Sequence, residues 1–567
     1  MKRAFNQHIV RRTADLSGIW RFLQDSDGIG EKNGWHKGLP DGASVAVPSV
    51  WNNDIGLLNY EGACWYEKRF YTESPTVRLE FESVMTQADV WLDGVKLGSH
   101  YGAFTSFDFI VNDVACGEHI LLVRADNSFD ELSLPQKFTD WFNYGGIARP
   151  VFAEQLRGIT VLSNRVIYEL SEDMKELTVA SELELYNADA TVMETPLTVD
   201  IGEHRIYSGT VTLGAYEKTT FNTPKISLSG IELWSVDTPK LYTVVARTDT
   251  DDLIDRVGFR KIEVKNSDIL LNGKPIELLG VNRHEEHPDW GFAFPPRLMK
   301  RDLDIISELG CNTVRGSHYP NSKIFVDMLD ERGVLFWSEI PIWGVAVKEN
   351  VLSSRAFVDR GLAMHKEMTR QYYNHPSIII WGMHNEIKTS LECAHSITKE
   401  YSEYLRREGG NRLVTHASHL PFDDSSMEFD DIICLNLYYG WYRGKLDEWD
   451  KFVKNFEQHL QSRGWYEKPV IMSEFGAAAL AGYHSHFDTV VWSEEYQRDL
   501  LEYCLELFHK TSYMRGTYIW QFADVRTAVG ELNRARSFNN KGIVDEYRRP
   551  KSSYFKIREL YRRFAEE

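Results

Sequence analysis

The chain has little that would carry it into a membrane, onto nucleic acid or around a metal. No apolar run in its 567 residues approaches the ~18 that a spanning helix needs, so no membrane segment is read. Positive charge is in deficit: 64 Lys and Arg against 83 Asp and Glu give a net charge of −19. That balance is opposite to the basic face of a polyanion binder and excludes nucleic acid as the expected partner. Cysteine is sparse, with six residues at 64, 116, 311, 393, 434 and 504 and no CxxC pair. Scattered thiols predict a reduced, cytoplasmic protein and no disulfide framework. The residues after Met1-Lys2-Arg3 form no apolar segment, so no secretion signal is read. His284 and His287 lie close together but not in HxH or HExxH spacing, and neither a metal nor another cofactor is expected.

What is present is a folded-protein composition, 43% hydrophobic and 26% charged, in a chain too long for one core. Residues 1–160 alternate apolar and polar side chains. Val77, Leu79 and Phe81 share one strand face and Arg78, Glu80 and Glu82 the other, while Asp93-Gly94 writes a hairpin turn between Val90-Trp91-Leu92 and Val95-Lys96-Leu97. A β-sandwich follows from this pattern, and a second, smaller sandwich from the alternation across 161–265. From 266 to 567 the texture changes to strand, helix, strand, helix. Pro296 opens a helix with Met299, Leu303 and Ile306 on one face, Gly310 stops it, and Asn312-Thr313-Val314-Arg315 is the next strand. That alternation predicts a (β/α)₈ barrel, so the fold class is two β-sandwiches followed by a TIM barrel.

Two stretches carry the chemistry. Ile378-Ile379-Ile380-Trp381-Gly382-Met383-His384-Asn385-Glu386 and Pro469-Val470-Ile471-Met472-Ser473-Glu474 each end an apolar, strand-like run with a glutamate. The C-terminal end of a barrel strand is where such enzymes keep their reactive groups. Two carboxyls on different strands suit a glycosidic bond, which needs one to protonate the leaving oxygen and one to attack the anomeric carbon.

These segments resemble the acid/base and nucleophile motifs of glycoside hydrolase family 2. Asp140-Trp141-Phe142-Asn143-Tyr144-Gly145-Gly146, Gly280 to Glu285 and Arg315-Gly316-Ser317-His318-Tyr319-Pro320 extend the resemblance over nearly the whole chain. It implies a jelly-roll-like, sugar-binding-type first sandwich, an immunoglobulin-like second one and a catalytic barrel. It also implies Glu386 as acid/base, Glu474 as nucleophile and Asn385 as partner of the 2-hydroxyl. Asp140, His318, Tyr438, Tyr442 and Trp520 would line the substrate pocket. Ser537-Phe538-Asn539-Asn540-Lys541-Gly542 is similar to the Asn-x-Lys element of the family's β-glucuronidases, in which Asn539 and Lys541 would hold the C6 carboxylate. Of the two nearby arginines, 534 and 536, Arg536 is taken to join them. A local cation is what an anionic sugar would need against the chain's own field.

The resulting expectation is a retaining exo-β-glucuronidase acting on small or oligosaccharide β-D-glucuronides, assembled as a dimer or tetramer as family members are. A β-galacturonidase, which differs only at C4, and a β-galactosidase stand as alternatives within the family. A carbohydrate-binding protein without catalysis is the alternative from another class, opposed by the presence of both glutamates.

Overall fold

The computed structural model describes residues 3–528 and 534–567. The first sandwich sets a six-stranded sheet over a four-stranded one, around a core that includes Trp20, Tyr66, Leu79, Val90, Leu121 and Val123. Its written turn is real: Gln87–Leu92 pairs with Val95–Tyr101, and Asp93 and Gly94 between them have φ of 49° and 81°. Two four-stranded sheets form the second sandwich, packed through Val161, Leu183, Leu185, Leu197 and Val199.

One alternation misleads. Strand Thr76–Phe81 was expected to show Arg78 and Glu80 to solvent, yet every residue of it is buried. The polar face is covered by the rest of the molecule, and Arg78 is neutralised there by Asp108 at 2.9 Å and Glu154 at 3.3 Å. Glu154 in turn takes Arg11 at 2.9 Å. A charge can be buried this way only because each one is paired.

The barrel closes from eight parallel strands in chain order. They are β1 (Leu278–Arg283), β2 (Thr313–Gly316), β3 (Leu335–Glu339), β4 (Ile378–Asn385), β5 (Leu413–Ser418), β6 (Ile433–Asn436), β7 (Val470–Phe475) and β8 (Met514–Ile519). All residues of β1 to β7 are buried, as strands covered on both faces must be. The first barrel helix, α1 (Pro296–Leu309), starts on a proline and stops at Gly310, whose φ of 94° only glycine adopts readily. Among the described residues no helix is long and apolar enough to cross a membrane.

Two features prepare the barrel mouth. Opposite Gly382-to-Asn385 the neighbouring β5 advances only from Thr415 to Ala417, so β4 carries one extra residue just before Glu386. Strand β7 likewise carries an extra residue between Met472 and Phe475 relative to β8. Such insertions re-aim side chains, here beside each glutamate. The first sandwich also reaches over the mouth. Phe142 donates its N–H to the Arg526 carbonyl at 2.8 Å, the Arg526 guanidinium lies 3.8 Å over the Phe142 ring, and Tyr144 donates to Glu286 at 2.7 Å.

Candidate active site

Arg315, on β2 and fully buried, organises the floor of the mouth. Its guanidinium donates to Glu339 of β3 at 3.0 and 3.1 Å, to Glu474 of β7 at 2.9 Å, to Asn385 of β4 at 2.7 Å and to Asn282 of β1 at 3.1 Å. The same group lies 4.5 Å over the Trp337 ring. Five of the eight strands are therefore tied at one point, and the planar fork of arginine suits that task.

Glu474 is buried and has two donors: Arg315 on Oε1 and the Tyr438 hydroxyl on Oε2 at 2.8 Å. Glu386 is half-buried and has one, the Asn436 amide at 2.9 Å. Burial is the largest cause that pushes both carboxyls up, Glu386 to about 7 and Glu474 to about 8, and the charge of Glu386 adds to the rise at Glu474. A guanidinium and a phenol stabilise the anion at Glu474 by direct hydrogen bonds, whereas Glu386 has one amide donor, and there the charge of Asp140 raises the carboxyl further while Arg315 and Lys541 oppose it. These direct contacts favour the anion at Glu474 and the proton at Glu386.

Around this pair lie groups with capacity to spare. The Asn385 Oδ1 accepts from Arg315 and from Asn436 at 3.0 Å, leaving its buried Nδ2 without a partner. His318 places Nδ1 2.7 Å from Glu339, so this nitrogen carries the proton and donates. Burial pulls the ring down to about 4, which keeps it neutral. The lone pair of Nε2 is buried with no hydrogen-bond partner, 3.8 Å from the Glu474 Oε1. Trp520, just after β8, stacks on the His318 ring at 5.1 Å, and Trp141 of the first sandwich packs on it at 5.4 Å.

The remaining predicted residues, Arg536 excepted, meet at one side of the mouth. Lys541 is buried, its Nζ donating to the Tyr442 hydroxyl at 2.5 Å and lying 4.6 Å over the Tyr442 ring and 5.7 Å over that of Tyr438. Among the described residues no carboxylate pairs with that ammonium. Arg534 donates to both oxygens of Asp140 at 2.6 Å and to the Tyr442 hydroxyl at 3.1 Å, and Asn539 reaches Asp140 at 3.4 Å. Arg536 is not brought here. It donates to Glu546 at 2.8 Å and is half exposed, because the turn passes through left-handed conformations at Arg536 and Ser537, with φ of 61° and 58°. The arginine at the cluster is Arg534, not the one expected. The turn carrying Asn539 and Lys541 is held from behind: Asp524 accepts from the Gly542 N–H and from Lys551, and the Gln497 amide donates to the Lys541 and Gly542 carbonyls.

Sequence reasoning missed Arg315, Glu339 and Asn436, and took Arg536 over Arg534. The three missed are polar residues in or at the end of an apolar barrel strand, the signal that found Asn385 and Glu386. A separate buried trio, Asp327, Asp330 and His375, has the spacing of metal ligands. Its acceptors already serve Arg3 and the backbone N–H groups of Ala4 and Ser377. Cavities of about 300 and 350 Å³ lie where the sandwiches meet the barrel, lined by Asn164 and Arg370 among others and by none of the mouth carboxyls.

Known proteins resemble this chain along nearly its whole length. The Streptococcus agalactiae β-glucuronidase is 29% identical over 96% of this chain and 95% of its own length. The solved Ruminococcus gnavus β-glucuronidase in complex with D-glucuronic acid is 27% identical with a TM-score of 0.87, covering 99% of each chain. The Eisenbergiella tayi family 2 β-galacturonidase bound to galacturonate is 34% identical with a TM-score of 0.91, again over 99% of each. Residues 160–260 match the model described as glycosyl hydrolases family 2. Residues 262–566, more than half the chain and all of the barrel, match the TIM barrel domain of that family. With the two glutamates ending β4 and lying in β7 of that barrel, this chain is a glycoside hydrolase and belongs to glycosyl hydrolases family 2.

Proposed function

We propose that the chain is a retaining exo-β-glucuronidase. Glu474, the anion of the pair, attacks C1 of the sugar, and Glu386 delivers its proton to the glycosidic oxygen as the C1–O bond breaks. Water, deprotonated by Glu386, then releases the sugar from the Glu474 ester. Arg315 and Tyr438 hold the attacking oxygens, and the free amide N–H of Asn385 is available to the 2-hydroxyl. The unused lone pair on His318 Nε2 accepts from a further sugar hydroxyl, over the floor made by Trp520.

The observation that carries the reading is Lys541: a buried ammonium whose charge acts on Glu386, bonded to a phenol and paired with no carboxylate among the described residues. A buried cation without its counter-ion is a site for an anion, and the C6 carboxylate of a uronide supplies one. The β-galacturonide is the second reading, favoured by the higher identity of the Eisenbergiella tayi enzyme, 34% against 27% for the Ruminococcus gnavus one. Release rates from aryl β-glucuronide, β-galacturonide and β-galactoside, measured side by side, test both. Faster turnover of the galactoside than of either uronide refutes the uronide reading, and the ratio of the two uronides decides C4.

A further inference from the structure

Glu386 stands in the left-handed region, with φ of 52°, which a residue with a Cβ adopts at a cost. Such a conformation persists only where the surroundings over-determine it. Two bonds do so here. The Glu386 N–H donates to the Ala417 carbonyl of β5 at 2.9 Å, and three residues on the Thr389 hydroxyl donates to Asp424 at 2.5 Å. Both anchors converge on one group, because Ser418, next to Ala417, also donates to Asp424 at 2.5 Å.

Asp424 is itself fixed. It accepts from the Ser426 N–H at 2.9 Å and lies 2.9 Å from the Nε2 of His416, whose Nδ1 is 3.0 Å from Asp430. All three side chains are fully buried. An imidazole between two carboxylates stays protonated, and they push His416 up to about 10. The buried, hydrogen-bonded cluster acts as a fixed strut. His384, the residue before Asn385, packs against this strut with its ring 4.7 Å from His416. Its place in the sequence motif follows from that packing.

We propose that Asp424, braced by His416 and acting through Thr389, is a positioning residue that holds Glu386 where it can protonate the leaving group. This rests on the assignment of Glu386 as acid above. General acid catalysis tolerates little displacement, and the bond that needs the proton most suffers first.

The test replaces Thr389 by valine, which keeps the shape and removes the hydroxyl, while Asp424 retains its bonds from Ser418, Ser426 and His416. kcat/KM is measured on a series of aryl β-uronides of rising leaving-group pKa, beside wild type, Thr389→Ser and Glu386→Gln. In Thr389→Val, kcat/KM is expected to fall about 10- to 100-fold for the poorest leaving group and by less than about threefold for the best. Thr389→Ser, which keeps the donor, restores wild-type behaviour, and KM and Tm change little in both Thr389 variants. An equal fall across the series, or none, overturns the positioning role, provided that Glu386→Gln shows the leaving-group dependence. If Glu386→Gln itself shows none, the acid assignment fails, and the positioning proposal fails with it.

Discussion

The replacement of Lys541 by methionine tests the substrate assignment most directly. Methionine keeps an apolar stem of similar length in a site where Lys541 is 1% exposed, so packing is largely preserved. The Tyr442 hydroxyl loses one donor but keeps Arg534 at 3.1 Å, so no buried polar group is orphaned in the free enzyme. The loss falls on the bound sugar. A carboxylate that met a buried ammonium now meets a thioether, a change worth about 2–4 kcal/mol when a desolvated, charge-assisted contact is removed. At about 1.4 kcal/mol per factor of ten, kcat/KM for an aryl β-glucuronide should fall roughly 30- to 700-fold. The slow hydrolysis of the matching aryl β-galactoside, which has no carboxylate, should change by less than about threefold. The assay is chromophore release from the two substrates under first-order conditions, with Tm recorded for each protein. Equal losses on both substrates at unchanged Tm would refute the reasoning and reduce Lys541 to a structural cation.

Glu474→Gln removes the attacking oxygen, so turnover should fall to background and a 2-fluoro uronide should leave no covalent adduct detectable by mass spectrometry; an adduct would contradict its role. Glu386→Gln should cost about 10²–10⁴ in kcat/KM on poor leaving groups and far less on activated ones. The same carboxyl fixes a pH dependence of stability. Burial raises it from 4.5 to about 7, so the folded state disfavours its ionisation. The stability it contributes is fully present below about 4.5 and is lost as pH rises through about 7. Glu386→Gln should therefore gain Tm over wild type at pH 8 and show no gain at pH 4, and a gain independent of pH would reject the sign. Arg315→Lys keeps the charge but cannot reproduce four partners; kcat should drop at least about 100-fold on every substrate, and retention of activity would remove Arg315 from the site.

Much of the barrel was legible because its strands are short, continuous apolar runs, and because Pro296 and Gly310 punctuate the first helix. The same argument found Glu386 and Glu474, each a carboxylate that an apolar strand delivers to the mouth. It ought to have gone further. Arg315 sits inside Thr313-Val314-Arg315-Gly316, and a charge in a strand covered on both faces must find counter-charges, which Glu339 and Glu474 supply. Asn436 ends Ile433-Cys434-Leu435 as Asn385 ends its own run. What alternation could not show is burial imposed from elsewhere in the chain. Arg78 and Glu80 read as a solvent face because period two reports only a strand's own sheet, and nothing local announces what covers its other face.

The choice between Arg534 and Arg536 was out of reach for a related reason. Two arginines one residue apart on a turn are separated only by backbone geometry, and the left-handed residues at 536 and 537 send Arg536 to Glu546. Their difference matters for charge. Arg315 has Glu339 and Glu474, and Arg534 has both oxygens of Asp140, a residue contributed by the first sandwich. With those two cations neutralised from within, Lys541 is the cation at the mouth, among the described residues, that the proposed reading leaves for a substrate carboxylate. On the proposed uronide reading the first sandwich therefore takes part in selectivity: without Asp140, Arg534 would compete with Lys541 for the sugar's carboxylate.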